Sequence, residues 1–341
     1  MKRNPVPVFL SVFLLAGWMA IDANAQAAKA QTHVAAAKAA ASGPGEDFTA
    51  SFTAVCTQRK PGTQGLPTAG EPANFADRPI PLRSQWYVEP VKVFDNLYNV
   101  GTSFHVWAVN TSEGIILLNS GMEYAIEGVV DGLKKMGLDP ANVKYVVILA
   151  PHDLHYGAAK FFQDRYGSRV MLSEADWNII EKTKYVPATL KPKKDMVVKD
   201  GQKLTLGDTT LTIHVTPGHG PGSLSILVPL KDGNQRHLGA LIGGRDWNYL
   251  EEGLLYFSSE EEAIRSWKAS ANRFRDIAEK AGADVILVTR SHHDHTADKV
   301  QFLKVRMPGA PHPYVGRNAV NRYLTIISEC MDAQLAWRAG R

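Results

Sequence analysis

Val143-Lys144-Tyr145-Val146-Val147-Ile148-Leu149 runs directly into Ala150-Pro151-His152-Asp153-Leu154-His155-Tyr156-Gly157. A near-continuous apolar run of this length reads as a strand buried on both faces, as in a sheet covered by helices. It empties into a turn bearing two histidines, and a helical pattern follows to residue 166. The arrangement recurs near the other end of the chain. There residues 284–289 form a second apolar strand ending in Arg290-Ser291-His292-His293-Asp294-His295. Between the two, Thr216-Pro217-Gly218-His219-Gly220-Pro221-Gly222-Ser223 interrupts a β-rich stretch, residues 197–242, whose turns are Asp200-Gly201, Gly207-Asp208 and Asp232-Gly233. Six of the eleven histidines fall in these three loops, each after a predicted strand.

Working outward, residues 91–94, 97–100 and 105–110 read as short antiparallel strands, followed by an apolar run at 114–119. Residues 124–136 form a helix stopped by Gly137 and Pro140. Ser173 with Asp176 opens a further helix, to about residue 182, in the manner of a capping box. Residues 260–281 are a long amphipathic helix, and 318–338 close the chain as another. Two βα-type halves, each with a β-rich portion and with no internal repeat, predict one mixed α/β domain.

Composition agrees with a globular chain. Its 341 residues carry 45% apolar and 21% charged side chains, which excludes wholesale disorder. The formal charge is +4, and no basic run with interleaved aromatics argues for nucleic acid. Lys2 and Arg3 precede a mostly apolar stretch to Ala20 that leads to Ala23-Asn24-Ala25, the pattern of a signal peptide cleaved after residue 25. The stretch is too short to span a bilayer, so we expect a periplasmic or secreted product with no membrane association after cleavage. Residues 26–81 read as an Ala-rich flexible leader followed by a Pro/Gly-rich irregular arm. In an oxidising compartment the two cysteines, Cys56 and Cys330, are either bridged across the whole domain or separately buried; both remain open from sequence.

Histidines grouped at strand ends suit a metal or acid–base site, because imidazole offers neutral nitrogen ligands and strand ends hold them in fixed geometry. No Gly-x-Ser-x-Gly occurs, so a serine nucleophile elbow is excluded. His105, His214 and His237 read as packed sheet residues, His33 and His312 as exposed. Trp247, Tyr249, Tyr256 and Phe257 are candidates to wall an apolar pocket.

The order of strand, His-rich loop, Pro-Gly-His-x-x-Gly-Ser loop and final ligand-bearing strand resembles the metallo-β-lactamase superfamily, from about residue 91 to 305. The resemblance implies an α/β fold, an αββα four-layer sandwich over residues 82–305 with residues 306–341 as a C-terminal helix packed on it. It also implies hydrolysis of a small molecule by a zinc-bound hydroxide. This chain departs from the family's His-x-His-x-Asp-His loop. Ala150 stands for the first His, Leu154 for the Asp, and only His152 and His155 remain. Asn119 replaces the supporting Asp, and Arg290 takes the place of the last His.

An ordinary two-zinc centre is therefore not expected, and two readings stay open. In one, a single zinc is held by His152, His155 and His219, helped by Asp153, Asp246 or a histidine of the 292–295 group. In the other, no metal binds. Arg290 then supplies the positive charge, binding a substrate carboxylate or oxyanion, and the histidines act as acid and base. From the last loop we select Arg290, His292 and Asp294 as catalytic candidates, with His293, His295 and Tyr156 as weaker ones. The activity expected is cleavage of an ester, lactone or amide bond; a lyase or isomerase using His and Arg290, or a silent ligand-binding member of the fold, are the rivals.

Overall fold

The computed structural model describes residues 10–43, 47–60, 75–251 and 254–340. Helix α1 (Leu10–Ala41), α2 (Thr49–Val55) and the short α3 (Arg83–Trp86) precede the first sheet. That sheet has seven strands in chain order: β1 (Val91–Phe94), β2 (Leu97–Asn99), β3 (Trp107–Thr111), β4 (Gly114–Leu118), β5 (Val143–Val147), β6 (Arg169–Ser173) and β7 (Met196–Val198). Pairing is antiparallel from β1 to β4 and parallel from β4 to β7. The switch coincides with the crossover helices α4 (Ile126–Lys135), α6 (Ala159–Tyr166) and α7 (Glu174–Lys182), which a parallel connection requires. The one-turn α5 (Asp153–Tyr156) follows β5.

A second sheet is built from β8 (Gln202–Leu206), β9 (Thr209–Val215), β10 (Leu224–Asp232) and β11 (Gln235–Leu241), with a small β12–β13 ribbon (Leu250–Glu251 and Leu254–Leu255) outside it. Helix α8 (Glu260–Ala281) then returns the chain to β14 (Val285–Leu287), which pairs parallel to β11. Helices α9 (Thr296–Val305) and α10 (Ala319–Ala339) complete it.

The layers follow from which faces are apolar. Trp107, Ile116, Leu118, Met171, Ile213, Ile226, Leu241 and Leu287 interdigitate between the two sheets. The other face of the first sheet packs on Val129, Leu133, Phe162 and Trp177 of α4, α6 and α7. The other face of the second packs on Trp267 and Phe274 of α8 and on Tyr323, Ile327 and Met331 of α10. The result is an αββα sandwich. Local signals start and stop the helices, the Ser173 cap as the sequence predicts. Ser173 Oγ accepts from Asp176 N (3.2 Å), Ser259 Oγ accepts from Glu262 N (3.1 Å), and Gly167 and Gly282 end α6 and α8 in the left-handed region.

Two expectations need correction. Residues 26–41 are not a flexible leader but the end of α1, with Ala30, Ala37 and Ala41 buried. Alanine has the highest helix propensity, and these small side chains let α1 lie against α10, where His33 meets Glu329 (2.7 Å) and Arg322 donates to the Ala40 and Ala41 carbonyls. Of the signal-peptide reading, residues 1–9 lie outside the described residues, as do 61–74 of the irregular arm. No helix among the described residues is long and apolar enough to cross a membrane. The second correction concerns His312, which is buried, stacked on Phe94 at 4.0 Å, with Nε2 2.8 Å from the Val93 carbonyl. Cys56 and Cys330 are disulfide-bonded, tying the end of α2 to α10.

Candidate functional site

The strand ends converge at one edge of the sandwich. His152 caps α5 just beyond β5, and His155 lies within α5. His219 sits in the loop from β9 to β10, and Arg290 follows β14. Ring centroids of His152 and His219 are 4.8 Å apart, with His155 at 5.8 and 6.3 Å from them. Asn119 performs the support expected of its position. At φ +64°, a conformation Asn tolerates better than most residues, it accepts from Leu149 N through Oδ1 (3.0 Å), while Ser120 N and Oγ both donate to the His155 carbonyl. Two glycines allow the close packing. A Cβ on Gly244 would lie 2.2 Å from His219 Cγ, and one on Gly218, at φ +137°, would lie 2.3 Å from Trp267 Cβ.

These groups line one polar cavity of about 200 Å³, together with Arg245, Asp246, Asn248, Thr289 and His293. Burial, then neighbouring histidines and Arg290, push His152 and His155 well below the usual imidazole range. Burial lowers His219 also. The three imidazoles are thus neutral at neutral pH. Burial alone would raise Asp246, but Arg59, Arg245 and His219 outweigh it and hold its carboxyl at about 2. His219 Nδ1 lies 2.9 Å from the Asp246 carbonyl oxygen. A carbonyl only accepts, so the proton sits on Nδ1 and Nε2 keeps its lone pair.

The other sequence-selected residues divide. Arg290 lines the cavity, with its guanidinium stacked 4.8 Å above the Phe104 ring. His292 is exposed and lies outside it; His293, its buried neighbour, lines it instead. Asp294 is a structural residue, buried in an ion pair with Lys299 (2.7 Å) and bonded to Thr296. In a short turn adjacent side chains point apart, so the loop delivers one histidine inward and spends its acid on holding α9. His295, at φ +53°, faces Asp47 and Asp298 near the surface. Asp153 is held by Arg78, which also reaches Glu123 (2.7 Å), and does not line the cavity. Tyr156 is fully buried in the core beneath α4 and α6. Tyr256 stacks on His152 at 5.6 Å, whereas Trp247 is buried between Arg59 and Arg338.

Sequence reasoning missed Asn248, Arg245 and Arg59. The Asn248 amide nitrogen is 3.2 Å from His152 Nε2, 3.3 Å from His219 Nδ1 and 3.1 Å from the His219 carbonyl. That carbonyl requires a donor, which identifies the nitrogen. An NH2 group, with no lone pair to offer a cation, therefore occupies the space between the two rings. Among the described residues no three His, Cys, Asp or Glu side chains are grouped to hold an ion. The arrangement does not fit the expected zinc on His152, His155 and His219. The ring separations are close, but the Asn248 NH2 group stands between the rings, and the neighbouring guanidiniums of Arg245 and Arg290 repel a cation. Arg245 is adjacent to the flagged Asp246; nothing in the local sequence marks Arg59.

Residues 103–232 match the family model of the metallo-beta-lactamase superfamily. The N-acyl homoserine lactonase AttM of Rhizobium radiobacter is 33% identical over 172 residues, covering 47% of this chain and 63% of that protein, just under two thirds of its length. The subclass B3 metallo-β-lactamase BJP-1 of Bradyrhizobium japonicum superposes with a TM-score of 0.62 at 28% identity, covering 74% of this chain and 95% of BJP-1. The class B3 di-zinc metallo-β-lactamase LRA-12 from an Alaskan soil metagenome shares the fold at 18% identity, with a TM-score of 0.56 over 76% of this chain and 94% of that one. With the sandwich topology and the His-bearing strand ends, these matches identify residues 103–232 as a metallo-β-lactamase superfamily region within a chain that shares the superfamily's fold.

Proposed function

We propose that this protein is a hydrolase that opens an ester, lactone or amide bond of a small molecule, with a buried neutral imidazole as the base that activates water. The observation that carries this reading is His219. Its Nδ1 proton is engaged by the Asp246 carbonyl, and Nε2 remains basic in a cavity shared with His152 and His155. The base takes a proton from water as its oxygen attacks the carbonyl carbon. Arg290 and Arg245 offer charged N–H donors to the oxyanion that forms, in a cavity where burial strengthens each such bond. His219 then returns the proton to the leaving oxygen or nitrogen. The likeness to AttM, a lactonase, and to BJP-1, a β-lactamase, supports a cyclic ester or amide among the substrates to be screened first.

The disulfide between Cys56 and Cys330, with the basic and apolar N-terminal pattern, supports a periplasmic or secreted location. The test is a panel of lactones, esters and lactams assayed with wild type and His219→Ala, in the presence and absence of a chelator. Loss of roughly 10²-fold or more in kcat for His219→Ala, with no chelator effect, is the expected result. Undiminished turnover in the variant, or turnover that requires added zinc, would remove the reading.

A further inference from the structure

We propose that the cavity is a carboxylate-binding site, in which the guanidiniums of Arg245 and Arg290 hold the anionic end of a small molecule at the position where a cation would be expected from the fold. The inference concerns the same cavity as the hydrolysis proposed above but does not depend on turnover.

Three observations carry it. The first is fixed charge. Arg245 and Arg290 both line the cavity, and both act electrostatically on His219 and His293, so their fields overlap. Neither guanidinium can shed its proton. The single acid among the lining residues, Asp246, is bonded by Arg59 at 3.0 Å, which comes from outside the cavity and cancels the acid's charge. With the histidines neutral, the cavity keeps an excess of positive charge.

The second is unmet hydrogen-bonding capacity. Arg245 Nε, His155 Nδ1 and His293 Nε2 are buried with no hydrogen-bond partner, and all three residues line the cavity. Buried polar groups in native proteins are nearly always bonded, because an unmet donor costs its lost hydration. A neutral imidazole can place its proton on either nitrogen, so each of these groups can present an N–H. An oxyanion with several lone pairs satisfies all three together, whereas a cation leaves the obligate Arg245 Nε–H donor unmet. The third is Asn248, whose amide nitrogen takes the space between His152 and His219 and so keeps a cation from bridging them.

Volume and shape select the anion. About 200 Å³ admits a short acid or the head of a longer one. The planar fork of a guanidinium matches a carboxylate in a two-bond geometry. The products of ester and lactone hydrolysis carry that group, so the site would retain product until it is displaced.

The test is calorimetric titration of the full chain with sodium butyrate, with butyramide as the uncharged isostere, inorganic phosphate and zinc chloride, and with no hydrolysable substrate present. Saturable butyrate binding, none for butyramide, and a loss of about 10-fold or more in both Arg245→Gln and Arg290→Gln support the site. Arg290→Lys, which keeps the charge and loses the fork, should fall between them, and unliganded melting curves confirm that each variant is folded. Equal binding of butyramide, variants that bind butyrate like wild type, or phosphate binding tighter than butyrate would overturn the carboxylate assignment. So would stoichiometric zinc that butyrate does not displace. A protein that binds butyrate but hydrolyses nothing refutes the proposed function alone, and one that hydrolyses but ignores butyrate refutes this inference alone.

Discussion

Replacing Asp176 with Asn should make the protein more stable, by an amount that grows as the pH rises. Asp176 is buried under the loop that carries His219. Its Oδ1 accepts from Gly222 N at 2.8 Å, and Oδ2 is buried without a partner. Burial drives its carboxyl from the ordinary 3.8 up to about 8, opposed only by the Gly222 N–H. The native state therefore keeps a proton that the unfolded chain releases above the ordinary value. The stabilisation that comes with that proton is complete below 3.8 and is lost progressively as the pH rises toward about 8. The slope is at most about 1.4 kcal/mol per pH unit, so between about pH 5 and about pH 7 Asp176 alone removes about 3 kcal/mol. Asparagine keeps the oxygen that Gly222 needs and does not titrate. Urea unfolding of wild type and Asp176→Asn, with the disulfide intact, gives the difference in stability directly. It should widen by about 3 kcal/mol over that interval. A difference that stays flat with pH would show that Asp176 is already ionised in the folded protein and would refute the reasoning.

Three further outcomes follow from the site and its supports. Asn248→Asp places a carboxylate between His152 and His219 and should create zinc binding that equilibrium dialysis detects, whereas wild type takes up none; equal uptake by both would contradict the role given to Asn248. Arg59→Ala removes the closest cation from Asp246, leaving Arg245 at 3.9 Å. It should cost about 3 kcal/mol at neutral pH, the low end for a broken buried pair because Arg245 remains. Because the Asp246 carboxyl is held low, its contribution is present above the ordinary carboxylate range and is lost as the pH falls toward about 2, so the deficit measured by denaturant should shrink in acid. Cys56→Ser with Cys330→Ser opens a loop spanning 274 residues and should lower unfolding free energy by up to about 5 kcal/mol on the chain-entropy account, read as a shift in urea midpoint.

The fold was legible because its signals are local and periodic. The apolar runs ending in histidine loops, the Ser173 cap and the amphipathic α8 each mark an element without reference to the rest of the chain. The Ala-rich segment before residue 42 was misread for the opposite reason. Its helix depends on burial against α10, about 300 residues away, and low side-chain complexity resembles a linker until the partner is known. The candidate site was legible in part. His152, His155, His219 and Arg290 announce themselves by residue type and by their place after strands, and they do share a cavity. His292 and Asp294 carry the same local signature, yet the turn sends one to solvent and the other into a buried pair with Lys299.

By itself, then, the sequence determined the main strands and helices of the sandwich, their order, and that chemistry-bearing loops follow the strands, since these depend on periodicity, capping and turn residues within a few positions. It also determined that the family's ligand set is broken, because Ala150, Leu154 and Arg290 can be read directly. What stands in place of the lost ligands was decided only by tertiary structure. Asn248 reaches between two imidazoles from 96 and 29 residues away, and Arg59 reaches Asp246 across 187. Such contacts leave no pattern in a single chain, because a long-range hydrogen bond constrains two positions in space and imposes no spacing along the sequence.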